Sequence, residues 1–506
     1  MGNISSAAGE ERRSRTSGYK IKKGFFTNET DNLPQVVAIF AEANSANQTS
    51  ITTDKREITS SEEAGRVFGY GSPIHQIMRI LRPQNSQGIG GIPTLVFPQL
   101  EAEGATATVK VFSVSGTASK NTTHNLVING RSNLDFQNYN FNIVKGDTAA
   151  IVASKIADAV NSVLNSPVIA SVNTTSVTFT TKWKGLTSSE LKVSFNNRGD
   201  NSGLTYASTT STLGAGTPDI LEGINQFGDD WNTVVINSYG SEMFDTFEQF
   251  NGTVSDENPT GRYDAMVFKP FMSFAGSVLS GKDSLANLTD NNDRINQVTN
   301  VICPAPNSEG FSWEAAANVA YLFARTMQDS PEIDINGMSY PDMPIPLDSK
   351  IGDMSNYENR DFLIKKGCST VTLERGLYVV QDLVTTYHIE GENPLMYNYC
   401  RNLNLDWNVA DYYRTLEKRH LKDKVVIDDS QNTDSRNAIK PIEWKAVLFE
   451  MFDNLAESAL ITEPSFSKQS VQVGRSTLNP NRFESFFRYK RTGIARIEST
   501  TAEAGF

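Results

Sequence analysis

The chain changes its hydrophobic period twice, and this limits what it can fold into more than any other feature. Before residue 105 and after residue 217, short apolar runs such as Val36-Val-Ala-Ile-Phe40, Thr94-Leu-Val-Phe97 and Thr233-Val-Val-Ile236 carry no polar alternation. Such runs suit strands covered on both faces, as in a parallel sheet between helices. Between them, Val177, Phe179, Thr181 and Trp183 alternate with Thr178, Thr180, Lys182 and Lys184. Leu191, Val193 and Phe195 repeat the pattern. Period-two alternation predicts half-buried strands with one wet face. Only 14 of the 106 residues from 105 to 210 are charged, and Ser, Thr and Asn dominate. One helix is expected inside this block, started by Asp147 or Thr148 and stopped before Pro167, with Val152, Ile156, Val160 and Val163 on one face.

A chain of 506 residues exceeds one ordinary core. The expected class is therefore α/β and α+β, multidomain: an α/β core built from discontinuous segments, an inserted β-rich domain, and extended arms at both ends. The boundaries read as an N-terminal arm at 1–26, a first part of the core at 27–104, the insertion at 105–211, the main α/β core at 212–480 and a C-terminal arm at 481–506. Within the core, Ser60 or Ser61 caps a helix through Ala64, Val67 and Phe68. Gly69-Tyr-Gly-Ser-Pro73 breaks it, and Ile74, Ile77, Met78 and Leu81 form a second helical stripe. Thr217-Pro218 is expected to start a helix, Ser241 to cap another with Phe244, Phe247 and Phe250, and Ser312 to cap Trp313 to Met327. Ala265-Met-Val-Phe268 and Val298 to Cys303 read as further buried strands. Past the Pro-rich stretch at Pro341, Pro344 and Pro346, the pattern predicts a helix at Tyr357 to Lys366 and strands at Cys368 to Leu373 and Leu377 to Val384. Helices at Trp407 to His420 and Ile442 to Leu460 follow. Phe486 to Lys490 and Ile494 to Ile497 are strand-like pieces for which no partner is expected in the same chain.

Charge is distributed unevenly. The net charge is −12, against sequence-independent nucleic-acid binding by the whole chain. Yet residues 1–24 carry six basic side chains (Arg12, Arg13, Arg15, Lys20, Lys22, Lys23) against two acidic ones, and residues 481–506 carry five against three. Basic, partly apolar ends on an acidic body suit docking onto other copies of that body, although terminal charge also simply solvates tails. Tyr19, Ile21, Phe25 and Phe26 in one arm, and Phe487, Arg488, Tyr489, Ile494, Arg496 and Ile497 in the other, are the candidate contact residues.

Motifs for chemistry are sparse. The four histidines form no HExxH or HxH pair, and Cys303, Cys368 and Cys400 have no CxxC spacing, so no metal site is expected. They read as buried thiols, with an intersubunit disulfide as the other outcome. No Walker A loop, GxGxxG turn or GxSxG elbow follows a suitable strand, so neither catalytic residues nor a cofactor are expected. Asp290-Asn-Asn-Asp293 lacks the glycine and the downstream Glu of a calcium loop. Arg198-Gly-Asp200 is an adhesion-type tripeptide, and Met1-Gly-Asn-Ile-Ser-Ser6 fits a myristoylation pattern; both matches are short. The polar N-terminal twenty residues have no apolar h-region, and no apolar run reaches 18 residues, so neither a secretory signal nor a spanning helix is expected.

Several segments, in order, resemble contractile phage tail sheath proteins. They are Ile58-Thr-Ser-Ser-Glu-Glu-Ala-Gly-Arg-Val-Phe-Gly-Tyr-Gly-Ser72, Gly146-Asp-Thr-Ala-Ala150, Trp231 to Ile236, Tyr263 to Phe268, Val301 to Ala305, and Asn359 to Gly367 followed by Tyr378-Val-Val380 and Thr385-Thr-Tyr387. The resemblance runs from about residue 34 to 497. It implies a structural, non-enzymatic virion subunit, made in the host cytoplasm. Such a subunit polymerises as stacked rings around a tail tube and contracts to drive the tube through the host envelope. It implies neighbouring sheath subunits, joined by strands added from the arms, as partners, together with tail tube, baseplate and tail terminator proteins. No direct nucleic-acid contact and no membrane insertion are implied. The tube-facing surface would lie among the helices of 401–460. The alternatives are the sheath of a phage-derived injection or secretion machine, an α/β enzyme of unrecognised chemistry, and an adhesin using the Ser/Thr-rich block. Deleting residues 1–26 or 485–506 is expected to separate either kind of sheath from the enzyme and the adhesin, by abolishing polymerisation while leaving a folded monomer.

Overall fold

A computed structural model describes residues 32–504 except 85–87, 198, 201, 255–257, 291–293, 393–395 and 480. One six-stranded sheet organises the molecule. Its order is Asn300–Pro304, Met272–Ser277, Val234–Asn237, Val37–Glu42, Thr94–Gln99 and Arg56–Glu57. Every neighbouring pair is parallel except the last, which is antiparallel. The Val37–Glu42 strand is buried throughout, and its two faces enter different clusters. Ala38 and Phe40 pack with Phe97, Ile224, Phe227 and Phe247 on one side. Val37, Ile39 and Ala41 pack with Ile77, Phe274 and Val319 on the other. Apolar side chains at consecutive positions are thus required, because both faces are covered.

The first two helices form where the sequence places them. The Ser60 hydroxyl accepts from the Glu63 N–H at 3.1 Å, starting the helix Ser61–Phe68, and Gly69 at φ +94° ends it. Pro73 opens the helix Pro73–Leu81, with Ser72 accepting from the His75 N–H at 3.2 Å. Gly71 has no room for a side chain, since a Cβ there would lie 2.1 Å from the Ser166 carbonyl oxygen.

The 105–215 stretch builds two antiparallel sheets over its own cluster. Leu204–Thr212, Val109–Gly116, Ser176–Thr181 and Val168–Asn173 form one sheet; Val193–Asn196, Thr122–Ile128 and Asn140–Ile143 form the other. The helix Ala149–Asn161 contributes Val152, Ile156 and Val160 to the same cluster as Phe112, Phe141 and Phe179. Val177, Phe179 and Thr181 are buried while Ser176, Thr178 and Thr180 are half-buried, the alternation expected of a one-sided strand.

This stretch is joined to the large sheet's helices by buried polar contacts. The Ser312 N–H and hydroxyl both donate to the Glu190 carboxylate at 2.6 Å, at the start of the helix Ser312–Asp329. Ser312 is therefore the first helical residue rather than the cap, and the capping carboxylate comes from 122 residues away. Arg131 pairs with Glu314 at 2.8 Å and with Asp342 at 3.3 Å, and Arg79 holds Asp135 through two bonds of 2.7 and 2.8 Å. Trp183 sits 6.0 Å from Trp313, which stacks on Phe311 at 4.3 Å.

Three other expectations fail, the first at Ser241, which caps nothing: it lies inside the 3₁₀ turn Gly240–Met243, and Met243 holds the cap position of the helix Phe244–Asn251. Ala265 to Phe268 is a turn rather than a strand, and Met266 is 91% exposed. Asp264 takes the backbone: its side chain accepts from the Met266 N–H at 2.8 Å, and its carbonyl accepts from Val267 and Phe268. The sheet strand follows at Met272–Ser277. Thr217-Pro218 starts nothing; a five-residue helix forms at Leu221–Asn225 instead.

The C-terminal part has the hairpin Thr370–Glu374 with Leu377–Asp382 and the long helices Cys400–His420 and Pro441–Glu457. The Cys400–His420 helix serves two cores. Leu403 and Trp407 join the large-sheet cluster, while Leu405, Val409 and Leu416 pack with Trp444, Leu448 and Phe452.

Glu42 ends the central strand with 1% exposure, its carboxyl accepting from the Thr187 hydroxyl at 3.1 Å. Burial raises its pKa from 4.5 to about 8. The folded carboxyl keeps its proton where the unfolded one has lost it, so this group's contribution falls as pH rises from about 4.5 to about 8. Glu42→Gln is expected to be more stable than the wild type at pH 8, by a margin that shrinks towards zero near pH 4. Thermal melts across that range check this; a margin that grows on acidification contradicts it.

Candidate assembly surface

The Cys400–His420 helix holds the C-terminal segment. Gln472–Arg475 and Phe483–Phe486 form an antiparallel hairpin, and Ile461–Thr462 pairs with Lys490–Arg491. From 483 to 490 the odd residues are half-buried and the even ones exposed. Phe487 packs 5.3 Å from Phe452 and 5.6 Å from Tyr413. Tyr489 donates its hydroxyl to Asp406 at 2.8 Å, and Arg491 grips the same carboxylate, its Nε at 2.7 Å. Arg401, 2% exposed, donates to the Thr492 carbonyl at 2.6 Å and to the Thr492 hydroxyl at 2.8 Å. The expectation that these pieces find no partner in their own chain therefore fails up to Thr492.

Beyond Thr492 no strand forms among the described residues, and one side chain is deeply engaged. Arg496 pairs with Asp334 at 2.6 Å and Asp382 at 3.3 Å, and its guanidinium lies 3.7 Å from the centre of the Tyr399 ring. Burial is the main cause raising the pKa of Asp382, while Arg496 pulls it down. On either side, Ile494 is 37% and Ile497 90% exposed.

The sequence-derived contact residues thus divide. Phe487, Tyr489 and Arg496 are committed within the chain. Arg488, Ile494 and Ile497 face outward, with Phe486 (48% exposed) and Leu478 (95%) beside them. Tyr19, Ile21, Phe25 and Phe26 lie outside the described residues. The hairpin's two strands pair only with each other among the described residues, so neither outer edge carries a further strand there. Sequence reasoning missed the receiving strand Gln472–Arg475, whose four residues, Gln-Val-Gly-Arg, carry no β pattern.

At the opposite extreme is the place where an α/β enzyme holds its ligand. That is the crevice at the carboxyl ends of Val37–Glu42 and Val234–Asn237, where the strand order reverses. Here Glu42 is covered by Thr187, and Asn237 donates to the Gly240 carbonyl at 2.8 Å. Packed side chains fill that position. Among the described residues no three His, Cys, Asp or Glu side chains are grouped to hold a metal. Cys303, Cys368 and Cys400 are buried free thiols. His388 lies between the Thr386 carbonyl and Asp290, each at 2.7 Å, which occupies the first aspartate of the calcium-like run; residues 291–293 lie outside the described residues. In the adhesion-type tripeptide Arg198 is likewise outside, and Asp200 is paired with Lys120. No helix among the described residues is long and apolar enough to cross a membrane.

No family model matches the chain. It is similar to the tail sheath protein of the Mu-like prophage FluMu of Haemophilus influenzae, with 23% identity over 434 residues covering 84% of each protein. Among solved structures, the sheath tail protein of Desulfitobacterium hafniense aligns with 93% of this chain and 100% of its own, at 11% identity and a TM-score of 0.44. The sheath tail protein of Listeria innocua aligns with 91% and 92%, at 11% identity and 0.40. A chain of the anti-feeding prophage baseplate aligns with 98% and 100%, at 9% identity and 0.45.

Removing the Arg496 side chain leaves Asp334 (4% exposed) and Asp382 without their cation. Arg496→Ala is expected to raise amide hydrogen exchange at 490–497 by about tenfold, equivalent to about 1.4 kcal/mol of local opening. Arg496→Lys should fall between, because an ammonium cannot stack flat on Tyr399. Exchange unchanged in both variants contradicts the assignment.

Proposed function

We propose that this chain is the structural subunit of a contractile tail sheath. The observation that carries the reading is the sequence match to a prophage tail sheath protein along 84% of both chains. The geometry agrees in kind. The crevice that would serve an α/β enzyme is filled, while open strand edges and exposed apolar residues gather at the C-terminal end. The subunit carries no catalytic role of its own, and the virion is where it works.

Partners follow from the same reading. Sheath subunits assemble with one another and with a baseplate; for this chain the finer contacts are the tail tube, a terminator and the arms of neighbouring copies. The 1–26 and 481–506 arms add strands to neighbours, with Tyr19, Ile21, Phe25 and Phe26 on one side and Arg488, Ile494 and Ile497 on the other. Strand addition relies on main-chain hydrogen bonds and asks little of side chains, which suits an extended, partly apolar segment and the open edges of the 472–486 hairpin. Such contacts join unlike surfaces and do not close on themselves, so they generate a helical polymer. The buried pairs Arg131–Glu314 and Glu190–Ser312 favour the 105–211 insertion and the core moving as one body, with contraction a switch between two packings of rigid subunits.

The decisive experiment is negative-stain electron microscopy of the purified chain, alone and with a tail tube supplied. Hollow tubes or stacked rings are expected, and a chain that stays monomeric and leaves a supplied tube bare contradicts the reading. Truncations refine it, and the C-terminal cut belongs after Thr492 rather than at 485, because Phe487 and Tyr489 are part of the folded core. Loss of residues 1–26 is expected to abolish tubes at the wild-type melting temperature, and loss of 493–506 to abolish them while leaving a folded monomer that melts lower, because Arg496 is lost with it.

A further inference from the structure

The described chain begins against the Cys400–His420 helix. The Leu33 N–H donates to the Asn408 side chain at 2.7 Å, and the Gln35 side chain reaches Asn404 at 3.3 Å. One and two residues further along, Val409 and Ala410 enter the wall of an open groove of about 950 Å³. Trp407, Ala410 and Tyr413 line it from the helix, Val267 and Phe268 from the 264–269 turn, and Phe487 from the C-terminal segment. The turn is fixed in place: Arg414 lies 5.6 Å from the centre of the Phe268 ring and donates to the Val267 and Phe268 carbonyls at 3.1 Å. The rim is mixed in charge, with Asp229 and Glu417 beside Lys418, so apolar contact rather than charge decides what enters.

Thirty-one residues precede Asn32, and their one concentrated apolar stretch is Tyr19-Lys-Ile-Lys-Lys-Gly-Phe-Phe26. Five residues lie between Phe26 and Asn32, a span of up to about 20 Å when extended. Along the helix, Asn408 to Tyr413 is only about 7.5 Å. The groove therefore lies within the tether of this stretch, which meets it at a high effective concentration. The three aromatic side chains and the isoleucine of this stretch match a wall that is mostly apolar and rich in aromatic rings.

We propose that this groove seats the chain's own residues 19–26 in the free subunit, and that their release exposes the N-terminal arm to a neighbouring copy. The second half rests on the sheath reading; the seat itself does not. A seated arm holds its strand-forming edge away from other copies, so the free subunit stays monomeric until assembly offers a better partner.

The test uses the full chain with a photoreactive p-benzoylphenylalanine in place of Phe25, illuminated at a concentration where the protein is monomeric. Cross-links from position 25 to peptides within 403–418 or 264–269, in a monomer-sized band, are expected. Cross-links confined to dimer-sized bands assign the groove to another copy's arm and overturn the proposal, as do cross-links elsewhere. Independently, Ala410→Trp fills the groove. It is expected to speed tryptic cleavage at Lys22 and Lys23 by about tenfold or more at an unchanged melting temperature. An unchanged cleavage rate overturns the seat. Neither readout involves tubes, so a chain that cross-links as expected but never coats a tube would sink the sheath reading alone.

Discussion

Everything in this fold follows from one strand having two parallel neighbours from distant parts of the chain. Val37–Glu42 pairs with Thr94–Gln99 on one edge and with Val234–Asn237 on the other, residue for residue from Val37. Parallel pairing needs a crossover, and the chain makes a short one through Ser61–Phe68 and Pro73–Leu81 before its long excursion from 99 to 234. The long excursion must leave and return at the same sheet without disturbing the register. It does so by folding into sheets with a core of their own, around Phe112, Phe141 and Phe179. The change of hydrophobic period at residue 105 is the sequence consequence of that topology.

A self-contained excursion could still have swung freely. Instead it is held to the large sheet by charged groups taken out of water. Glu314 and Glu42 are buried and Glu190 half-buried, and all three have raised pKa values, chiefly through burial. Such groups cost stability unless they are hydrogen-bonded, and two of the three are well provided for. Glu190 accepts two bonds at a helix N-terminus, where the backbone dipole favours a carboxylate, and Glu314 faces Arg131. These contacts depend on direction and distance far more than apolar packing does, so they fix one relative position. The same packing covers the switch point of the sheet with Thr187. Rigidity and the absence of a ligand crevice at that point therefore have one cause.

What the sequence reveals is set by how local the decisive contact is. The Ser60 cap and the Pro73 start involve residues within one helical turn, and both are legible. The Ser312 helix is legible as a helix, but its cap is not, because Glu190 has no sequence relation to it. Four apolar residues at 265–268 read as a strand, yet one aspartate before them, bonding two residues ahead, is enough to make a turn. The Cys400–His420 helix begins seven residues before the expected Trp407. Its first turns are polar, and they are stabilised by distant partners such as the Glu332 carbonyl for Arg401. At the candidate surface, apolar and basic character singled out the C-terminal segment. Which face of it is occupied followed only from the alternation against Phe452 and Asp406.

That helix also bears on the proposed assembly, because it holds the chain near both of its ends. Asn408 holds the backbone at Leu33, Asp406 holds Tyr489 and Arg491, and Arg401 holds Thr492. Three residues within two turns of one helix thus hold the chain both at Leu33 and at residues 489–492. If the two ends act as the proposed arms, tension on either would be delivered to the same element, and that element is shared between the large-sheet core and the C-terminal core. A subunit whose arms left from opposite sides would transmit a neighbour's pull as a torque across its whole body. Here the pull would meet a helix packed into both cores, with Arg496 held between Asp334 and Asp382. A polymer built through such ends can be drawn from one packing to another while each subunit keeps its internal contacts, which is the mechanical requirement for a lattice that contracts without coming apart.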